Sequence, residues 1–194
     1  MTNEKANANE NNDASLIRSS MHSEVANAKG RYYVECIGAD GKLKWADVIE
    51  NVVTTVGKNL ALDTYLAGAA YTVVGPFMGL ISLVSFTAVA AADTMASHAG
   101  WTEAGVTNAP TYTAPRKTAA WSAASGGSKA LSAALSFAIT GAGTVKGCFL
   151  VYGTGAVSTI DNTSGTLYSA GLFTGGDKPV VNTDTLNVSY TASL

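Results

Sequence analysis

The chain has 194 residues, 47% of them hydrophobic and 13% charged, about half the charged fraction of typical soluble domains. Small neutral residues dominate, with 32 Ala, 22 Thr, 20 Gly and 17 Ser, a composition too apolar for a wholly disordered chain and too aperiodic for collagen. A net charge of −2 argues against a general nucleic-acid binder, which neutralises phosphates with clustered Lys and Arg.

The charges crowd toward the start: 15 of the 26 lie in residues 1–59. Met1–Ala14 is Asn-rich and polar and reads as a disordered arm. Met1–Gly30 has no apolar core and does not read as a signal peptide. Within Ser15–Lys29, Leu16, Ile17, Met21 and Val25 recur every three to four residues. Ser15 is placed to cap and Gly30 to stop a short amphipathic helix. So short a helix is marginal alone and needs a surface to lie on. Leu16, Ile17, Met21 and Val25 are therefore the candidate partner-binding residues of an arm spanning 1–30.

From Arg31 the period changes to two. Tyr32, Val34 and Cys36 share one face, which Leu43 and Trp45 continue beyond a turn at Gly38-Ala39-Asp40-Gly41. This predicts a β-hairpin. Asn59 is placed to cap a brief helix in which Leu62 and Leu66 stack and Gly68 closes the end. Thr64–Ala92 then runs 29 residues without a charge. A membrane span needs about 20 apolar residues, but Gly75-Pro76 and Gly79 interrupt this run and acidic Asp63 and Asp93 flank it. Phe77–Val89, apolar on both faces, reads as an interior strand.

The clearest alternation lies in Leu131–Ile139, where Leu131, Ala133, Leu135, Phe137 and Ile139 face one way. Gly141-Ala142-Gly143 is then expected to turn this strand into a hairpin with Val145–Tyr152. Leu186, Val188 and Tyr190 alternate with polar residues near the end. About eight strands result. The expected fold is an all-β antiparallel sandwich, jelly-roll-like, over residues 31–194. Cys36 and Cys148 form no CxxC pair and read as two buried free thiols.

Chemistry-bearing patterns are thin. No GxSxG surrounds any serine, and His22 and His98 are the only histidines. His98 reads as a loop residue hydrogen-bonded to backbone, with no second ligand at metal spacing. Asp161-Asn162-Thr163-Ser164-Gly165 has the outline of a calcium loop but lacks its acidic spacing and terminal Glu, so it reads as a turn. Gly141–Gly147 joins two strands rather than opening a helix, which deprives it of a phosphate cradle's donor geometry. Trp45, Trp101 and Trp121 read as core or interface anchors; a groove built on exposed Trp101 and Trp121 would instead suggest sugar binding. No catalytic residue, cofactor or metal ligand is assigned.

Several segments resemble tailed-phage structural proteins: Gly41–Trp45, Asn51–Asn59, Ala92–Glu103, Gly165–Gly171 and Asp184–Thr191. Within that group the chain is most similar to the capsid decoration, or cement, proteins of short-tailed phages. The resemblance implies a non-enzymatic protein on the virion exterior that binds the major capsid protein and staples neighbouring capsomers, acting in several copies. It covers residue 31 to the end and leaves out the arm. A 14-residue arm would reach about 45–50 Å extended, so it could engage a second partner on the assembled shell and raise effective affinity. The alternatives are a tail, adaptor or fibre component, a carbohydrate-binding adhesion module, and last a glycan hydrolase.

Overall fold

A computed structural model describes residues 28–66 and 74–193. Leu16, Ile17, Met21 and Val25, together with Gly68, lie outside the described residues. The period-two pattern after residue 30 is realised as antiparallel β-sheet, so the fold is all-β. In chain order the elements are β1 (Lys29–Ile37), β2 (Leu43–Val53), α1 (Thr55–Leu66), β3 (Phe77–Ser82), β4 (Glu103–Ala104) and β5 (Lys117–Thr118). There follow β6 (Ser128–Ala130), β7 (Leu135–Ala138), β8 (Gly143–Tyr152), β9 (Thr166–Phe173), β10 (Lys178–Val180) and β11 (Thr185–Ser193). The three strands beyond the expected eight are short, and two or three residues carry no readable alternation.

One hydrogen-bonded path runs β4-β3-β8-β9-β2-β1-β11-β6, with β5 on β3, β10 on β8 and β7 on β11. The long strands β2, β9, β8 and β3 lie in Greek-key order. Residues 111–122 stitch the two ends of the path together. Within that segment β5 pairs with β3, while Thr113 N donates to Ala138 O at 2.9 Å and Ser122 N to Ala130 O at 3.0 Å. The sheet thus folds over, and residues from β1 and β11 (Val34, Val188) share a core with Met78 and Leu150 from β3 and β8.

The expected hairpin of β1 and β2 forms, with Gly41 in the left-handed region at φ 75° and its N–H on Gly38 O at 2.9 Å. A bulge at Lys44 sets Cys36 opposite Trp45 but Ile37 opposite Leu43. That extra residue flips the parity, so Leu43 leaves the Trp45 face and is exposed. Gly30, expected to end an arm helix, belongs instead to β1 and pairs with Ala192. A side chain there would meet Tyr190 Oη at 2.0 Å, so only glycine fits.

The helix begins four residues before the expected Asn59 cap. Thr54 is the cap: its Oγ1 accepts from Gly57 N at 3.0 Å and donates to the carbonyl of Leu167. A strand contact therefore chose the start. Gly57 rests directly on β9, where a Cβ would lie 2.4 Å from Tyr168 O. Leu62 and Leu66, expected to stack, lie one turn apart on α1 and are 55% and 70% exposed.

Leu131–Ile139 is not one strand, and it does not pair with Val145–Tyr152. β7 runs along β11, Phe137 opposite Leu186, whereas β8 lies between β3 and β9. The Gly141 region fails to close a tight turn because Thr140 N and Gly141 N both bind Thr111 O, at 2.9 and 3.3 Å. The chain instead crosses between sheet ends. The interior strand expected over Phe77–Val89 stops at Ser82, where the hydroxyl accepts from Val84 N at 2.9 Å and turns the backbone out. No helix among the described residues is long and apolar enough to cross a membrane.

Phe137 is fully buried, edge-on to Tyr112 at 5.1 Å. Phe137→Ala is expected to cost about 3–5 kcal/mol of unfolding free energy, read from a lower urea midpoint at unchanged slope.

Candidate functional site

Two features concentrate chemistry on this body: a buried ion pair beneath the loops, and an apolar groove beside α1.

The ion pair joins Glu103 of β4 to Arg116, which immediately precedes β5; they are 5% and 1% exposed. Arg116 Nε donates to Glu103 Oε1 at 2.8 Å and Nη2 to Oε2 at 2.6 Å, a two-pronged arrangement. The remaining donors reach Val157 O at 3.2 Å and Asn162 O at 2.7 Å. Glu103 Oε2 also accepts from Asp161 N at 2.8 Å. Both carboxylate oxygens are thus occupied. Burial pushes the Glu103 carboxyl up, and Arg116 only partly offsets it.

This pair shapes the Asp161–Gly165 turn. Asp161 sits at φ 64°, Asn162 Oδ1 accepts from Ser164 N at 2.8 Å, and Asp161 Oδ2 accepts from Thr107 Oγ1 at 2.6 Å. His98, Glu103 and Asp161 border a small cavity of about 140 Å³. His98 is a loop residue bonded to backbone, as read from the sequence: Nδ1 lies 3.0 Å from Trp101 O and the ring stacks on Trp101 at 3.9 Å. Among the described residues no group of three or more His, Cys, Asp or Glu is placed to hold a metal ion. With both oxygens engaged, Glu103 of β4 clamps two connections, β4–β5 and β8–β9. Sequence reading assigned no role to Glu103 or Arg116. The usable signal was scarcity, since an isolated charge in a charge-poor body needs a partner.

The tryptophans part company. Trp101 is 2% exposed, packs on Phe149 at 5.2 Å and donates to Asp93 Oδ2 at 2.9 Å. Trp121 lies in the other core, edge-on to Tyr190 at 5.8 Å. They do not share a groove, which removes the arrangement that would have favoured sugar binding.

A different groove is present. About 730 Å³ opens between α1 (Ala61, Thr64), β8 and β9 (Tyr152, Tyr168), and Trp121 with Ala192. Its walls are aromatic and aliphatic, and Lys129 is the charged residue among those lining it. Thr64 Oγ1 is tied back to Leu60 O at 2.7 Å, so that wall offers no hydroxyl donor. The floor is Leu150, a member of the main core.

Cys36 and Cys148 are buried and free. Burial, then the charge of Asp184, pushes the Cys36 thiol up to about 11, so it stays protonated and unreactive. Asp184 balances two influences: burial raises its carboxyl, but hydrogen bonds from Lys44 Nζ at 2.7 Å and Val181 N at 2.9 Å outweigh that and hold it low. The chain matches no family model, no curated protein and no solved structure.

Two outcomes follow from the charges. Arg116→Met strands a buried carboxylate and is expected to cost about 3–5 kcal/mol at neutral pH. Because the Glu103 carboxyl is already raised, folding then weakens further as pH climbs through its folded value, and stability returns in mild acid, as melting temperature against pH will register. Asp184 has the opposite sign. Its stabilisation is complete above the ordinary carboxyl range near pH ~4 and is lost below it, as pH falls through the depressed folded value. Asp184→Asn should flatten that acid limb of the melting profile.

Proposed function

We propose that the protein is a non-enzymatic virion component that binds the outside of a tailed-phage capsid and bridges neighbouring major capsid protein subunits in several copies. What supports the reading is the convergence in space of segments that resemble such proteins. Asn51–Asn59 and Gly165–Gly171 meet where Thr54 N donates to Tyr168 O at 3.0 Å and Gly57 seats on the same residue. Just beside Ala92–Glu103, Ala91 O accepts from Thr55 N at 2.9 Å. Stretches more than a hundred residues apart in sequence thus form one structural unit.

The physics suits the role. A folded-over antiparallel sheet is a stiff body, and its exposed Tyr33, Leu43, Val106 and Val181 are apolar side chains on a charge-poor surface. Such a surface can dock on a shell without strong electrostatic demands. Repetition over many equivalent lattice sites then converts modest contacts into firm attachment.

Virions carrying this chain should show its density on the head exterior, between capsomers, by cryo-electron microscopy. Heads stripped of it should rebind the purified protein until every equivalent site is filled and should regain resistance to heat. Density confined to the tail would replace this reading with an adaptor or fibre role, and saturable binding on a glycan array with failure on heads would replace it with an adhesion module.

A further inference from the structure

The small cavity beside the Glu103–Arg116 pair brings three connections together: His98 and Thr102 from β3–β4, Asn108 from β4–β5, and Asp161 and Thr163 from β8–β9. We infer that this recess receives a basic side chain, lysine or arginine, from the surface on which the protein docks. The source of that side chain rests on the attachment reading above; the cationic chemistry of the recess does not.

Hydrogen-bond polarity is the first ground. His98 Nδ1 lies 3.0 Å from Trp101 O, a carbonyl that only accepts, so the uncharged ring is left with Nε2 as an acceptor. Thr102 Oγ1 gives its proton to Val84 O at 2.6 Å, and Asn108 Nδ2 donates to Glu103 O at 3.0 Å. What these three side chains mainly have left is lone pairs. The Asn162 amide and the Thr163 hydroxyl are the lining donors without such an engagement. The lining is therefore richer in acceptors than in donors, and it favours a ligand that donates.

Charge is the second. Glu103 and Arg116 neutralise each other, whereas Asp161 is exposed and has no Lys or Arg paired with it among the described residues. Asp161 Oδ2 accepts from Thr107 N at 3.3 Å and from Thr107 Oγ1 at 2.6 Å, which fixes the carboxylate and leaves Oδ1 open. The lining thus carries one net negative charge in a set orientation. A single open carboxylate is too little to strip a divalent ion, which takes roughly six oxygen ligands. For a cationic N–H donor one such oxygen is enough.

The surroundings are the third. Val106 and Val157 stand on two of the same connections and are 64% and 36% exposed. Val106 adjoins the Thr107 that holds Asp161, and the Val157 carbonyl accepts from Arg116 Nη1 at 3.2 Å. A lysine or arginine matches that pairing, since its methylene stem packs on apolar side chains while its charged tip reaches a polar site. With the ion pair fastening both connections, the recess is preformed and little ordering opposes binding.

The diagnostic variant is Asp161→Asn. Asparagine tolerates the left-handed φ of 64° and can still accept from Thr107, but it removes the charge. Asp63→Asn, at an exposed carboxylate of α1, controls for net charge. The full chain is titrated with n-butylammonium, methylguanidinium and n-butanol at constant ionic strength and followed by nuclear magnetic resonance. Both cations should give saturable shifts confined to residues 95–108 and 161–163, and butanol none. Asp161→Asn should weaken that saturation about tenfold or more, the loss of one charge-assisted hydrogen bond, while Asp63→Asn matches the wild type. On heads stripped of the protein, Asp161→Asn should rebind more weakly than either by a similar factor. No saturable shift, an equal response to butanol, or a stronger response to Mg²⁺ or Ca²⁺ overturns the inference, and the wild-type titration decides this even if Asp161→Asn misfolds. Equal rebinding by all three proteins also overturns it and leaves attachment to heads intact. Failure of the wild type to rebind sinks the attachment reading and with it the source of the basic side chain; the cation titration then decides the recess alone.

Discussion

Strands β3 and β8 are buried on both faces, and this two-sided burial organises the molecule around them. Along each strand the residues alternate between two cores: Leu80, Cys148 and Leu150 enter the main one, Ile81, Phe149 and Val151 the other. Such strands read as unbroken apolar runs, as in parallel sheets covered on both sides. The main core is closed by the sheet folding over onto β1 and β11. The second has no sheet above it, so residues 83–102 must cover it, and Met95 and Trp101 fill it from that excursion. The long connection between β3 and β4 is thus a lid for a core and not a free loop.

That covering layer has almost no regular structure, which leaves many backbone groups to satisfy without ladders. Short polar links do the work. Asp93 accepts from Ala90 N and Trp101 Nε1, both at 2.9 Å, and Gly100 O accepts from Thr87 N at 2.7 Å and Ala88 N at 3.0 Å. At the far end of the same layer the Glu103–Arg116 pair performs this task with charge, drawing Asp161, Asn162 and Val157 onto one centre. A buried pair is weak evidence of net stability but is costly to break. Its value here is positional, since it fixes where the β4–β5 and β8–β9 connections meet β4.

The groove beside α1 and the shell-binding role are separable matters. The groove lies beside a helix held at its first turn by Thr54 and by Gly57 on Tyr168, with Leu62 and Leu66 outward. The proposed attachment surface, by contrast, draws on the exposed Tyr33, Leu43, Val106 and Val181. A body with so few charges can present both without one perturbing the other.

Strand identity was legible wherever one face meets the core and the other meets water. Tyr32, Val34 and Cys36 in β1 and Leu186, Val188 and Tyr190 in β11 are buried as their alternation demands, because the period of two is a local property of the pleat. His98 as a backbone-bonded loop residue and the Asp161 turn were equally readable, since both follow from side-chain reach over a few residues. Pairing was not. Phe137 is buried as expected, but its partner strand is β11 rather than β8, and nothing within Leu131–Tyr152 records that Thr111 will capture the turn. The cap at Thr54 instead of Asn59, the bulge that turns Leu43 outward, and the union of Glu103 with Arg116 were not legible either. Leu167 O decides the cap from 113 residues away, whereas the bulge is set within the β1–β2 hairpin and the ion pair closes over 13 residues against Asp161 and Asn162. Local periodicity determined which residues seek the interior, while long-range contacts decided which neighbours they found there.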